Sequence, residues 1–517
     1  MGVKTTKDIK LVIQPVHSVM VHEYVFEGPC RFGSGDELTV EFDRMNGAEG
    51  LKVFKKKIAE YLEGDADFEI LPPVECEINE SFEISDQLMA DITVNDAKVD
   101  CYLFFSVQRT YPIMLKTAVM TGKPIVLQPK CCGSTMVPAM IRKRGYECIS
   151  PLTWEDLSNM LKVYRVRKVL KKSRALLLTR AYTNAALVSA PDGFINLDDA
   201  TKIFGTEFCY LDVHEFLDQT QPIPCTENHT KPGIRGLNPT PEEMDEISNQ
   251  ADALIAGATE CTMSKEDLVH TLRFYKTTQK MLEHYECNAF SAPCPEMCAT
   301  RRLNANKFTP CLTHSLLNAQ GVCSACEYDV PGLITQIILS SFAHAGCYMG
   351  NTSVVPFEKD GITPVIVANP ANDIAEKVKE MDQETRDHLV YMFHSSINLQ
   401  MHGYDAPQMD YAIHPYTGSR WGGTFRHDFK QEAGQIITMA RIAPDGKSIL
   451  VAKGTIVCGV GEKLEGCTQG LAFTVKDNRD FYKKQQDFGN HCPVVFGDYF
   501  DQVVALGELL GLDVVTA

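Results

Sequence analysis

The sequence predicts an α/β protein with two parallel-sheet domains followed by a strand-rich C-terminal domain. Three observations lead there. Short apolar runs alternate with helically spaced segments up to about residue 355, the pattern of βα units and a parallel sheet covered on both faces. Beyond that point apolar runs are joined by tight turns such as Pro444-Asp445-Gly446, which points to antiparallel pairing. The chain has 517 residues, whereas single cores stop growing near about 250–300 residues. The expected domains are 1–172, 173–355 and 356–517, the second carrying an acidic pair.

In the first domain, residues 9–13 form a short apolar run. Leu51, Val53, Phe54, Ile58, Tyr61 and Leu62 have helical spacing, and residues 68–71 read as a strand. Residues 101–106 and 124–128 read as buried strands flanking a helix over 112–120. Thr153 can cap a helix through Leu157, Leu161 and Tyr164.

The second series opens with a strand at 175–179, then a helix within 195–205 that ends near Gly205, then a strand at 208–212. The polar, proline-rich passage 222–241 is expected to be a surface loop. Two helices follow, the second starting at Ser264-Lys265-Glu266-Asp267 in the manner of a capping box and carrying Leu268, Leu272, Tyr275, Met281 and Leu282. In the third domain, strands at 435–440 and 448–452 flank the Pro444-Asp445-Gly446 turn, and a helix is expected at 500–510. There is no 20–50-residue repeat and no low-complexity tract.

Composition narrows the function. A net charge of -17 disfavours nucleic acid and anionic membranes as partners. No apolar run reaches the roughly 18–20 residues that span a bilayer, and residues 1–10 are polar, unlike a signal peptide. A cytoplasmic location is expected. Nineteen cysteines in a long chain without a secretion signal are expected to be mostly buried, reduced thiols. The chain contains no GxGxxG after the first strand, no GxxxxGK[ST] and no GxSxG, which argues against a dinucleotide-binding enzyme, a P-loop NTPase and a nucleophile-elbow hydrolase. Residues 131–135 come nearest to a phosphate loop, but with a single glycine they read as an ordinary turn.

The most informative segment is the apolar run ending at Cys326, followed by Glu327, Asp329 and an apolar helix. Strand periodicity would put both acids on one side of the strand end, where parallel sheets place ligands. A carboxylate pair there can hold a divalent cation and move a proton. Alternatively the acids simply cap the helix, Asp329 in particular. His394 follows an apolar run, and His491 precedes another, so a mixed nitrogen and oxygen site suited to Mn²⁺ or another first-row divalent ion is plausible. A lone histidine is more often a hydrogen-bonded structural residue. Cys287, Cys294, Cys298, Cys311, Cys323 and Cys326 offer a rival zinc or iron–sulfur site, but a single CxxC with irregular partners is a weak signal.

Residues 315–335, SLLNAQGVCSACEYDVPGLIT, resemble the segment of the L-fucose/L-arabinose isomerase superfamily in which a strand bearing an acidic pair enters a helix. Residues 347–353, the His394 segment, 434–441 with Gly454, and Gly489-Asn490-His491 through Val514 follow in that family's order. The resemblance is close over 285–517. It implies two Rossmann-like α/β domains, a β-barrel-like C-terminal domain, and Mn²⁺-dependent aldose–ketose isomerisation of a pentose, 6-deoxyhexose or related sugar in a homo-oligomer, a trimer or hexamer. Carried over by position, Glu327 and Asp329 become metal-binding acid/base carboxylates, and His491 and His394 metal ligands. The family's second acid would fall in the Asn351 segment or near Thr309-Pro310-Cys311, and neither position carries an acid here.

Three options remain open: Glu327 and Asp329 fill both roles, another acid such as Glu296 reaches in, or the chain performs a different enolisation on a modified sugar. A non-catalytic sugar-binding role is a further alternative. Asn351 and Trp421 are candidate substrate contacts, Trp421 equally a packing residue of its turn. His17, His22, Arg109 and His214 could line a pocket but read more simply as ordinary polar residues.

Overall fold

A computed structural model describes residues 4–22, 40–79, 81–107, 109–131, 133–179, 190–193, 195–222, 233–299, 301–365, 373–418 and 420–517. The chain divides into two compact units, residues 9–165 and residues 1–8 with 166–517. Residues 223–232 of the expected loop, and Cys132 of the 131–135 turn, lie outside the described residues.

The 9–165 unit is built on a parallel sheet around the strand Leu11–Val21, every residue of which is buried. It is longer than the apolar run 9–13 suggests, because Gln14, His17 and Ser18 interrupt the apolar pattern yet are buried with it. Its first half pairs with Phe68–Ile70 and its second half with Val74–Asn79. Between them stand Pro72 and Pro73, whose missing N–H groups break the ladder. The buried Gln14 amide donates to the Pro72 carbonyl at 2.8 Å. On the other side Cys101–Val107, Ile125–Leu127 and Cys148–Ile149 complete the sheet. The helix expected over 51–62 runs over Val40–Tyr61. Its first turns are polar and give no apolar period, but Asp43 there is buried, accepting from the backbone and ring of His22 at 2.8 Å.

The larger unit holds a second parallel sheet in the order Cys323–Cys326, Ala289–Ala292, Arg174–Thr179, Glu207–Asp212. The expected helices are present with their caps. Leu197–Phe204 starts at Asn196 and stops at Gly205, where φ is 77°. Lys265–His284 starts at Ser264. Pro241, the end of the expected loop, is already the first residue of the helix Pro241–Gly257, which has a full Thr240/Glu243 capping box.

C-terminal to this sheet lies a closed six-stranded antiparallel barrel. Its strands run in the order Ile436–Ile442, His491–Phe496, Tyr348–Val354, Leu389–Phe393, Gly470–Val475, Ser448–Val460, and the last pairs back onto the first. Asp513–Thr516 adds in parallel beside Ser448–Val451. The barrel draws one strand, Tyr348–Val354, from before residue 356, and it shares one compact unit with the second parallel sheet. Alternation puts Tyr348, Met392, Leu471 and Val494 into the main core. No described helix is long and apolar enough to cross a membrane.

Candidate metal centre

The strand Cys323–Cys326 stops because Glu327 and Tyr328 both take left-handed backbone, with φ of 60° and 59°. That costs about 1–2 kcal/mol for each non-glycine residue and is held by Tyr328 N donating to the Ala292 carbonyl and Asp329 N to the Cys326 carbonyl, both at 3.2 Å. Strand periodicity is therefore not what relates the two acids. They approach one imidazole from different sides. His491 Nε2 is 3.8 Å from Glu327 Oε2, and His491 Nδ1 is 3.1 Å from Asp329 Oδ2.

Asp329 also caps the helix Val330–Ala343, accepting from Gly332 N at 2.8 Å. Gly332 has to be glycine here: a Cβ would sit 2.7 Å from Asp329 Oδ2 and 2.8 Å from Met349 Sδ. The capping alternative and the functional one thus meet in a single residue.

His394, just beyond the strand Leu389–Phe393, completes a group. Its Nε2 is 3.5 Å from Glu327 Oε1, and its ring centroid is 5.5 Å from that of His491. One ligand atom from each of Glu327, His394 and His491 lies within 4.8 Å of the others, and among the described residues this is the one such group of His, Cys, Asp or Glu. Both histidines are buried, while the Glu327 side chain keeps 19% exposure, so the group opens to solvent on the carboxylate side. All three residues follow or begin strands at the carboxyl edge of the second sheet and on the barrel wall.

Asp329 stands outside the ligand group. Its Oδ2 receives Arg441 Nη1 at 2.5 Å as well as His491, which orients the histidine from behind. Arg441 is fully buried and also donates to the carbonyls of His491 and Phe488 (both 3.1 Å) and of Asp192 (3.0 Å). The Asp192 carboxylate in turn accepts from Asn490 N at 3.0 Å. Burial works to raise the Asp329 pKa, but the Arg441 charge and His491 outweigh it and hold the carboxyl down at about 2. Burial likewise works to lower His491, yet Asp329 and Glu327 leave it raised. Glu327 is held low, its burial outweighed by His394 and His491.

The residues fit a divalent cation. His491 donates through Nδ1 to Asp329 and leaves Nε2 facing Glu327. His394 Nε2 is buried with no hydrogen-bond partner. Ser395 N–H lies 3.1 Å from His394 Nδ1, so using Nε2 as a ligand moves the ring proton to Nδ1 and gives up that contact. A typical hydrogen bond contributes about 0.5–1.5 kcal/mol net, small against the energy of binding a cation.

Asn351 is the strand partner of His491, but its Oδ1 accepts from Asn490 Nδ2 at 2.8 Å, and it does not belong to the ligand group. Trp421 sits half-buried in the turn before the strand Gly423–Arg426, its carbonyl accepting from Tyr416 N at 3.1 Å. Glu296 is buried beside Tyr328 and is not in the group. His17, His22 and Arg109 belong to the 9–165 unit, and His214 is exposed. The described cysteines form no metal-binding group; burial pushes the Cys323 and Cys287 thiols up to about 12. The side chain of Cys298 lies outside the described residues.

Sequence reasoning missed Arg441 and Asp192. Arg441 did leave a signal, a lone charge inside the otherwise apolar strand Ile436–Ile442. Asp192, in a Pro-Asp-Gly turn, left none. No family model and no curated protein matches the chain.

Proposed function

We propose that the chain is a metal-dependent aldose–ketose isomerase of the L-fucose/L-arabinose isomerase type, acting in the cytoplasm as a homo-oligomer on a pentose, 6-deoxyhexose or related sugar. The observation that supports this most is the buried Glu327/His394/His491 group backed by Asp329. Two nitrogens and a carboxylate oxygen suit Mn²⁺ or a similar divalent ion. When bound there, such an ion supplies Lewis-acid polarisation of a carbonyl and the hydroxyl beside it.

The chain's own groups supply the rest. Glu327 combines a low pKa with solvent-side exposure, so it can take a proton from the carbon bearing the hydroxyl and return it to the neighbouring carbon. Asp329 is committed to Arg441, His491 and the helix cap, so its role is orientation and charge balance. His491 keeps its orientation through that carboxylate. The test is metal content together with aldose-to-ketose conversion over a panel of pentoses and 6-deoxyhexoses. A chain that takes up Mn²⁺ and converts one of them supports the reading; a chain that takes up no divalent ion ends it.

Asn351 favours a second reading, in which the same centre runs another enolisation on a modified sugar. Its amide binds Asn490 instead of offering a second base. On that reading Asn351→Asp creates no isomerase activity; a large gain in aldose conversion argues for the first.

A further inference from the structure

The thiol that precedes Glu327 has a partner. Parallel register sets Ala292 opposite Cys326, and the Ala292 carbonyl accepts from Tyr328 N at 3.2 Å. The chain leaving Ala292 is thereby held against residues 326–328. Two residues on, Cys294 begins the helix Cys294–Ala299 with its thiol in hydrogen-bonding contact with that of Cys326. The two thiols differ in access. Cys294 is half-buried, and Cys326 is buried. That is the arrangement of an attacking thiol that meets an oxidant and a resolving thiol behind it.

We propose that Cys294 and Cys326 form a redox-active dithiol, a modification site at which hydrogen peroxide is reduced and an intramolecular disulfide is made. The Cys294 sulfur, as thiolate, attacks a peroxide oxygen. The S–O bond forms as the O–O bond breaks, and the departing oxygen leaves as water, carrying the proton that the thiol gave up. Cys294 is left as a sulfenic acid. The Cys326 sulfur then attacks the Cys294 sulfur; the S–S bond forms, the S–O bond breaks, and the hydroxyl leaves as water with the Cys326 proton. In total two thiols and one peroxide give one disulfide and two waters, the sulfurs oxidised and the peroxide oxygens reduced. The new bond lies one residue before Glu327, in a turn already held left-handed, so its constraint falls on that carboxylate. The effect on metal binding rests on the proposed metal function; the dithiol itself does not.

The full chain is treated with hydrogen peroxide, remaining thiols are blocked under denaturing conditions, and peptides are mapped by mass spectrometry. The expected product is a Cys294–Cys326 cross-link, reversed by dithiothreitol and absent from Cys294→Ser. Mn²⁺ affinity of the oxidised chain is expected to fall at least about tenfold, the scale on which disturbed outer-shell support acts, and Cys294→Ser should bind Mn²⁺ equally before and after peroxide. Cys294 and Cys326 staying reduced while other cysteines react overturns the proposal, as does linkage of Cys326 to Cys311 or Cys467. A cross-link in a chain that binds no Mn²⁺ even when reduced upholds the dithiol and defeats the metal reading.

Discussion

His491 Nδ1 lies 3.1 Å from Asp329 Oδ2, and this contact decides which ring nitrogen faces Glu327. An ionised carboxylate only accepts, so Nδ1 carries the proton and Nε2 points toward Glu327 Oε2. Arg441 makes the arrangement durable by binding the same carboxylate oxygen and the His491 carbonyl together.

Asp329→Asn removes the charge and keeps an oxygen for the helix cap. Arg441 is then buried with its main counter-charge gone, and breaking such a pair costs about 3–5 kcal/mol. Mn²⁺ affinity should fall about 10–100-fold as His491 loses its support. Urea unfolding and titration calorimetry read the two effects; a variant as stable and as tight-binding as the parent contradicts the role given to Asp329.

The two histidines should not be equivalent. His491 is already set with Nε2 toward Glu327, whereas His394 must give up its Ser395 contact to use the same atom. His491→Ala is expected to abolish Mn²⁺ binding, and His394→Ala to leave weakened but measurable binding. The reverse order in calorimetry would count against this ranking.

The pH dependence follows from signs. Asp329 is held at about 2, below the ordinary value of about 3.9, so its contribution is full above pH ~4 and disappears as pH falls through about 2. His491 runs the other way: its pKa is raised, so its contribution is full below about pH 6.5 and declines as pH rises through the folded-state value. Urea unfolding of the metal-free chain should show both limbs, with the acid limb reduced in Asp329→Asn. An unchanged acid limb in that variant is the contrary result.

Gly332→Ala tests the cap. The added methyl meets Asp329 Oδ2 at 2.7 Å and Met349 Sδ at 2.8 Å, so carboxylate or thioether has to shift. Destabilisation of about 1–3 kcal/mol is expected from overpacking, together with weaker Mn²⁺ binding because the displaced group orients His491. Normal metal affinity in this variant would separate Asp329 from the centre.

Much of the architecture was legible because period and caps are local. Gly205 and Ser264 marked helix ends where the structure has them, and Pro444-Asp445-Gly446 marked the barrel's antiparallel turn. The strand Leu11–Val21 and the helix Val40–Tyr61 were under-read because buried polar residues such as His17 and Asp43 look like loop in a sequence. Glu327, His394 and His491 were legible as polar residues at the ends of apolar runs. The β-barrel was expected from the family resemblance and is present, but local pattern alone did not give its closure, because that depends on pairing between strands distant in the chain, such as His491–Phe496 with Tyr348–Val354. The division of labour between the acids was hidden for the same reason: Arg441 reaches Asp329 across 112 positions.

Calorimetric titration of the reduced, metal-free chain with Mn²⁺, beside Glu327→Gln and His491→Ala, bears most directly on the shared cation site. One ion per parent chain, lost in both variants while their unfolding transitions stay cooperative, is the expected result. A parent chain that takes up no divalent ion, or variants that bind it as tightly as the parent, would contradict the site.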